Sequence, residues 1–362
     1  MKALSCVERI LKTSLSGELS EEVVIAAREH CVSALVYDAL RSYTPSGAAE
    51  EKALERLKMY RLEILAKNSF YEKELMLVLR SFAKNNIPAI PLKGIILSEH
   101  LYGDIYSRDS SIDVDLLVRE EDVARSRAAL EDIGYTFRPG GEIKKYEWCH
   151  VFAKPRSQMV EAHWDITMTV RSRERIEGLW RGAVPVDRGD VRYYYFKPEE
   201  LLLYLSAHLI NSGAFRQLRH IRDIERLIEK YGNEIDWNSV VRKAREWRLS
   251  GSLYAALILI RQFSGLIFPA KIPRELKISL PKRLFIRFFA DKKVVAGSGF
   301  RRRFLDAFLS YIFFEIVEAA SFKDHLHIFK RIFFPPRDSI ADAGYCRRTF
   351  KGAVKLTKRV LC

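Results

Sequence analysis

Two aspartates one residue apart, Asp113 and Asp115, stand in the run Ser111-Ile-Asp-Val-Asp-Leu-Leu-Val118. In a strand, alternate side chains leave on opposite faces, so both carboxylates share one face while Ile112, Val114 and Leu116 share the other. Their Cα atoms are then about 6.5–7 Å apart, and the oxygens can converge on one divalent cation or bridge two. Acids held this close repel each other, and a bound cation removes that cost. The same pattern also decorates the exposed face of an ordinary half-buried strand. Leu117 and Val118 continue the run as apolar residues, which favours a buried strand presenting its acids at an edge.

A third ligand has to come from a neighbouring strand, and Met159-Val-Glu-Ala-His-Trp164 offers Glu161 between apolar residues. His163 shares its face, and reads either as a ligand or as a packed, hydrogen-bonded histidine. Upstream, Lys93-Gly94 lies where a strand gives way to a helix. There, backbone N–H groups at a helix N-terminus and an ammonium can meet phosphate oxygens, although a glycine at such a junction is ordinarily only a turn.

Positioning these residues requires particular elements. Apolar residues recur at three- and four-residue spacing up to about Asn86, as in Val32, Leu35, Val36, Ala39 and Leu75, Val78, Leu79, Phe82, which predicts a helical region over 1–86. A strand is expected over Ile87–Leu92, then a helix from Ile95 to Leu101 and a polar loop from Tyr102 to Ser110 that contains Gly103 and Arg108. Ser111–Val118 reads as a second strand, Glu120–Ile133 as an amphipathic helix ended by Gly134, and Tyr146–Lys154 with Met159–Ile166 as a hairpin around Pro155-Arg-Ser-Gln158. The expected fold is therefore α/β (α+β): a small mixed-sheet core over 87–196, a helical domain over 197–265 opened by Lys197-Pro198, and a basic, mainly helical region over 266–362. His208 and Asp223 fall on predicted helices either side of Asn211-Ser-Gly213, where they could bond across a helical hairpin or line a cleft. Tyr193-Tyr-Tyr195 reads as a strand or interface patch rather than a platform for bases.

Taken together, Leu92-Lys-Gly94, the stretch Tyr102-Gly-Asp-Ile-Tyr-Ser-Arg-Asp through Val118, and Val160-Glu-Ala-His-Trp164 resemble the DNA polymerase beta nucleotidyltransferase superfamily. More narrowly, they resemble its uncharacterised bacterial nucleotidyltransferase family. Leu201–His208 and Leu218–Asp223 resemble that family's helical segment, so the likeness covers about residues 25–230. The chain departs from the superfamily in having Lys93-Gly94 where Gly-Gly or Gly-Ser is usual. The resemblance implies transfer of a nucleoside monophosphate from an NTP to an acceptor hydroxyl, with pyrophosphate leaving and Mg2+ or Mn2+ as cofactor. It also implies that Asp113, Asp115 and Glu161 are catalytic and hold the metal, and that Lys93, Gly94 and Arg108 bind the nucleotide. The alternative is a weak or inactive protein of the same fold that binds nucleic acid or an anionic membrane.

Composition agrees with a folded chain. The 362 residues are 48% hydrophobic and 30% charged, which excludes disorder and fibrous repeats. The five cysteines, Cys6, Cys31, Cys149, Cys346 and Cys362, are scattered and odd in number, so a reducing cytoplasm is expected. No signal peptide is read, because Glu8, Arg9 and Lys12 interrupt the opening apolar stretch, and no spanning helix, because Arg261, Asp306 and Glu315 interrupt the most apolar stretches. The net charge of +15 is lopsided: residues 251–362 hold 22 Lys and Arg against 8 Asp and Glu, a balance of +14. A polyanionic partner, nucleic acid or an anionic membrane surface, fits that region, which would make the protein cytoplasmic or peripheral to a membrane; an idle basic face fits it equally.

Overall fold

The computed structural model describes residues 19–110, 113–138, 148–167, 172–211, 217–264, 266, 268–290 and 317. Most of the basic region, including Arg301, Arg302 and Arg303, lies outside the described residues. The described residues open with α1 (Glu21–Glu29), α2 (Ser33–Ala39) and α3 (Ala48–Lys84). The third starts after Gly47 with Glu50 and Glu51 in its first turn, where acids suit the positive end of the helix dipole. It buries Ala53, Leu57, Ile64, Leu75, Val78, Leu79 and Phe82, the helical spacing noted above.

The core follows as β1 (Ile90–Pro91), α4 (Gly94–Tyr102), β2 (Asp113–Leu117), a 3-10 turn, α5 (Val123–Glu131), β3 (Thr136–Arg138), β4 (Cys149–Ala153) and β5 (Met159–His163). The five strands form a mixed sheet in the order β1-β2-β5-β4-β3, with β2 and β5 parallel and the other pairs antiparallel. The chain is thus a mixed α/β fold, as expected. Helix α6 (Arg173–Gly182), a separate hairpin of β6 (Ala183–Arg188) and β7 (Val191–Phe196), and helices α7 (Pro198–Asn211), α8 (Leu218–Tyr231), α9 (Trp237–Glu246), α10 (Ser250–Phe263), α11 (Ile272–Glu275) and α12 (Leu280–Phe289) complete the described chain. The Tyr193-Tyr-Tyr195 run lies in β7, and the Tyr194 amide donates to the Ala89 carbonyl at 2.9 Å, tying the hairpin to β1. Expected helix Glu120–Ile133 is shorter, because Glu120–Asp122 is a 3-10 turn that enters α5.

Two buried ion pairs hold the sheet to the helices. Arg175 of α6 donates from Nη2 to Asp165 Oδ1 at 2.7 Å and to Thr167 Oγ1 at 2.6 Å, fixing the chain as it leaves β5. Arg108, in the loop before β2, donates from Nε and Nη2 to the Asp223 carboxylate of α8 at 2.8 Å, and Tyr102 Oη donates to the same carboxylate. With 2% and 1% of their side chains exposed, Arg108 and Asp223 form a clamp inside the protein. Asn68 of α3 donates to the Ile105 and Arg108 carbonyls, so the same loop is held from its other side.

A charge left alone after its buried partner is removed is far more costly than the pair is favourable. Arg108→Ala should therefore lower stability by about 3–5 kcal/mol, whereas the double replacement Arg108→Met with Asp223→Leu should recover most of the loss. Denaturant melts of the three chains check this; equal stability of wild type and Arg108→Ala would remove the clamp.

Candidate metal and phosphate site

The parallel pairing of β2 with β5 sets Asp115 directly opposite Glu161 and Asp113 opposite Met159. Their other faces, Val114, Leu116, Val160 and Ala162, lie in the core, so the polar face is forced toward the remaining side. Carboxylate oxygens of Asp113, Asp115 and Glu161 all lie within 4.8 Å of one another. Sequence reasoning named all three, and the sheet brings them together. Asp113 Oδ1 is buried with no hydrogen-bond partner among the described residues, as a ligand oxygen awaiting a cation would be. The oxygen-only donor set fits a hard divalent ion such as Mg2+ or Mn2+.

Two side-chain cations already stand against these acids. Lys93 Nζ is 2.9 Å from Asp115 Oδ2 and 3.8 Å from Asp113 Oδ2, and its side chain is 17% exposed. The expectation set Lys93 at a triphosphate; here its ammonium faces the acids. Burial would pull its proton off, but the charges of Asp115 and Asp113 outweigh this and raise its pKa. His163 Nε2 is 3.1 Å from both Asp115 Oδ1 and Glu161 Oε2. Burial again opposes the charge on His163, and the hydrogen bonds to Asp115 and Glu161 overcome it, lifting its pKa to about 9. Asp115 feels burial first, which alone would raise it, yet the Lys93 charge and the His163 hydrogen bond bring it to about 2. Asp115, Lys93 and His163 are thus charged together through the neutral range.

Lys93 caps the start of α4, and Gly94 begins the helix at φ +72, in the left-handed region where a side chain is strained. Nothing crowds a Cβ placed there, so backbone conformation alone calls for glycine. Lys93, Gly94, Ser110, Asp113 and Asp115 line one small pocket, with about 10 Å3 open to a water-sized sphere. The strand-to-helix junction and the acids therefore share a single space. Arg108, the third residue expected at the nucleotide, is not brought there as a free cation, because its guanidinium is taken by Asp223.

Asp223 is bonded by Arg108 and Tyr102 rather than by His208. The ring of His208 instead stacks on Tyr204 and meets His220 edge to face at 4.8 Å. Burial, then the nearby Lys93 charge, pushes His208 well down, so it stands as a neutral imidazole. Two residues on the site face were missed as participants. Ser110 lines the pocket with a buried Oγ, and Cys149 on β4 pairs directly with His163. Membership of an expected strand over Cys149–Ala153 was the available signal for the cysteine, but it needed the register of β4 on β5 to become informative.

Residues 17–265 match the family model described as an uncharacterised nucleotidyltransferase, more than half of the chain. No curated protein matches. Among solved structures, the solution structure of the antibiotic-resistance factor ANT(2'')-Ia aligns at 13% identity over 52% of this chain and 96% of its own, with a TM-score of 0.35. At that score the likeness carries no argument.

Removing Lys93 takes away the counter-charge of two acids. Lys93→Met should lower the melting temperature of the metal-free protein, by about 2–4 °C per kcal/mol lost, and Mg2+ or Mn2+ should raise the variant's more than the wild type's. Thermal melts with and without the ion check this; equal shifts in both chains would show that the ammonium and the ion do not share the acids.

Proposed function

The chain belongs to the uncharacterised nucleotidyltransferase family, and on that premise we propose that it moves a nucleoside monophosphate from an NTP to an acceptor hydroxyl, releasing pyrophosphate. The observation that carries the reading is the convergence of Asp113, Asp115 and Glu161 from two adjacent parallel strands. A divalent cation held there would neutralise the triphosphate and polarise the oxygens that attack and leave. Asp113 and Asp115 would hold it from β2, and Glu161 from β5. Glu161 is the most exposed of the three at 24%, so an incoming hydroxyl reaches it and gives up its proton there. His163 orients both Asp115 and Glu161 through its Nε2. Lys93 and the first amides of α4 would bind phosphate oxygens of the triphosphate. Arg108 acts at one remove, by holding the loop that leads into β2.

The acceptor stays open among a small molecule, a protein hydroxyl and an RNA end, because a fold of this kind does not fix it. Among the described residues, no helix is long and apolar enough to cross a membrane. One observation favours a second reading: Lys93 bonds Asp115 where a metal would sit, so the chain would keep the fold while binding, through its basic C-terminal part, nucleic acid or an anionic membrane.

Incubation of the protein with radiolabelled NTPs, Mg2+ or Mn2+ and cell extract separates the two. Label should enter one class of molecule with release of pyrophosphate, and Asp113→Asn or Asp115→Asn should reduce both to background while circular dichroism stays unchanged. If the wild type neither transfers label nor releases pyrophosphate with any common NTP and either ion, transfer is excluded and the binding reading stands.

A further inference from the structure

The acids do not exhaust the donors on this sheet face. Cys149 of β4 lies directly opposite His163 of β5, and Glu161 is two residues back along β5 on the same face. Side chains opposed across an antiparallel pair have Cβ atoms about 4.5–5.5 Å apart, and here a ligand atom from each of Cys149, Glu161 and His163 lies within 4.8 Å of the other two. All three are half-buried, open enough for an ion to enter. We infer that Cys149, Glu161 and His163 form a second cation position beside the carboxylate trio, one that takes a transition-metal ion such as Zn2+.

The donor chemistry is what distinguishes the two positions. Asp113, Asp115 and Glu161 supply hard oxygens, suited to Mg2+ or Mn2+, whereas a thiolate and an imidazole with one carboxylate select Zn2+ or Co2+. Three protein ligands leave the fourth place of a tetrahedral ion open to water or a substrate group, the pattern of reactive rather than purely structural zinc sites. As the ion binds, the Cys149 thiol and the His163 imidazolium each give a proton to solvent, and no redox step is involved. Glu161 belongs to both positions, so an ion on the sulfur side competes for it with the carboxylate trio. The inference rests on the register of β4 on β5 and stands independently of nucleotidyl transfer.

Cobalt is the probe, because a Co2+–thiolate bond gives a charge-transfer band in the near ultraviolet that oxygen and nitrogen ligands do not. Co2+ added to the full-length protein should produce this band, and Zn2+ should abolish it by displacement. The band should be lost in Cys149→Ser and kept in a chain whose other four cysteines are replaced by serine. Should Cys149→Ser fail to fold, the wild type decides: Zn2+ should protect Cys149, and not Cys31, from alkylation, as read by peptide mass spectrometry. No band in the wild type, a band retained without Cys149, or equal alkylation with and without Zn2+ would each overturn the site and leave the hydrogen-bonded His163 as its whole content. Label transfer measured on the same preparations is a separate readout, so loss of either proposal leaves the other in place.

Discussion

Everything at the site depends on holding like charges together. Parallel pairing of β2 with β5 puts Asp115 across from Glu161, with Asp113 two residues away on the same face, and all three carboxylates within 4.8 Å. In water such acids would drift apart; in a half-buried site their repulsion grows and must be offset. Without a metal the protein offsets it internally, with the Lys93 ammonium on one side and the His163 imidazolium on the other. Both cations come from positions that the sheet itself fixes, one at the end of the β1 segment and one on β5.

That arrangement survives only if the strands cannot slip or splay, and the buried ion pairs supply the restraint. Arg108–Asp223 ties the loop entering β2 to α8, and Arg175–Asp165 ties the exit of β5 to α6. The first joins segments 115 residues apart and the second closes a local stretch of ten; both are shielded from water, so each costs desolvation and is valuable chiefly for geometry. Placing such pairs at the two strands that carry the acids fits a site whose ligand spacing has to be kept.

Across the same face the donors change character, from oxygen on β2, through Glu161 and His163 on β5, to sulfur on β4. A sheet orders its chemistry by strand rather than by sequence, so neighbours in space can prefer different ions. Glu161 sits at the boundary, and any competition between hard and soft cations is decided there.

The local pattern was enough to find the Asp113-x-Asp115 face, the strand bearing Glu161, the Lys93-Gly94 junction and the long opening helix, because each depends on periodicity or turn chemistry within a few residues. Some boundaries moved, as where the expected strand Ile87–Leu92 shortened to Ile90–Pro91 and Glu120–Asp122 formed a 3-10 turn. Contacts between distant segments were not legible. Arg108 looked like a free cation in a polar loop, and only the docking of α8 shows its guanidinium closed on Asp223, which left His208 to stack on Tyr204 and meet His220 edge to face. Cys149 looked isolated, and only the register of β4 on β5 sets it across from His163. Which residues carry chemistry is a property of side-chain type and local period, and so is written in the sequence. Which partner each one meets depends on strand register and helix packing, and those are decided by the whole core at once.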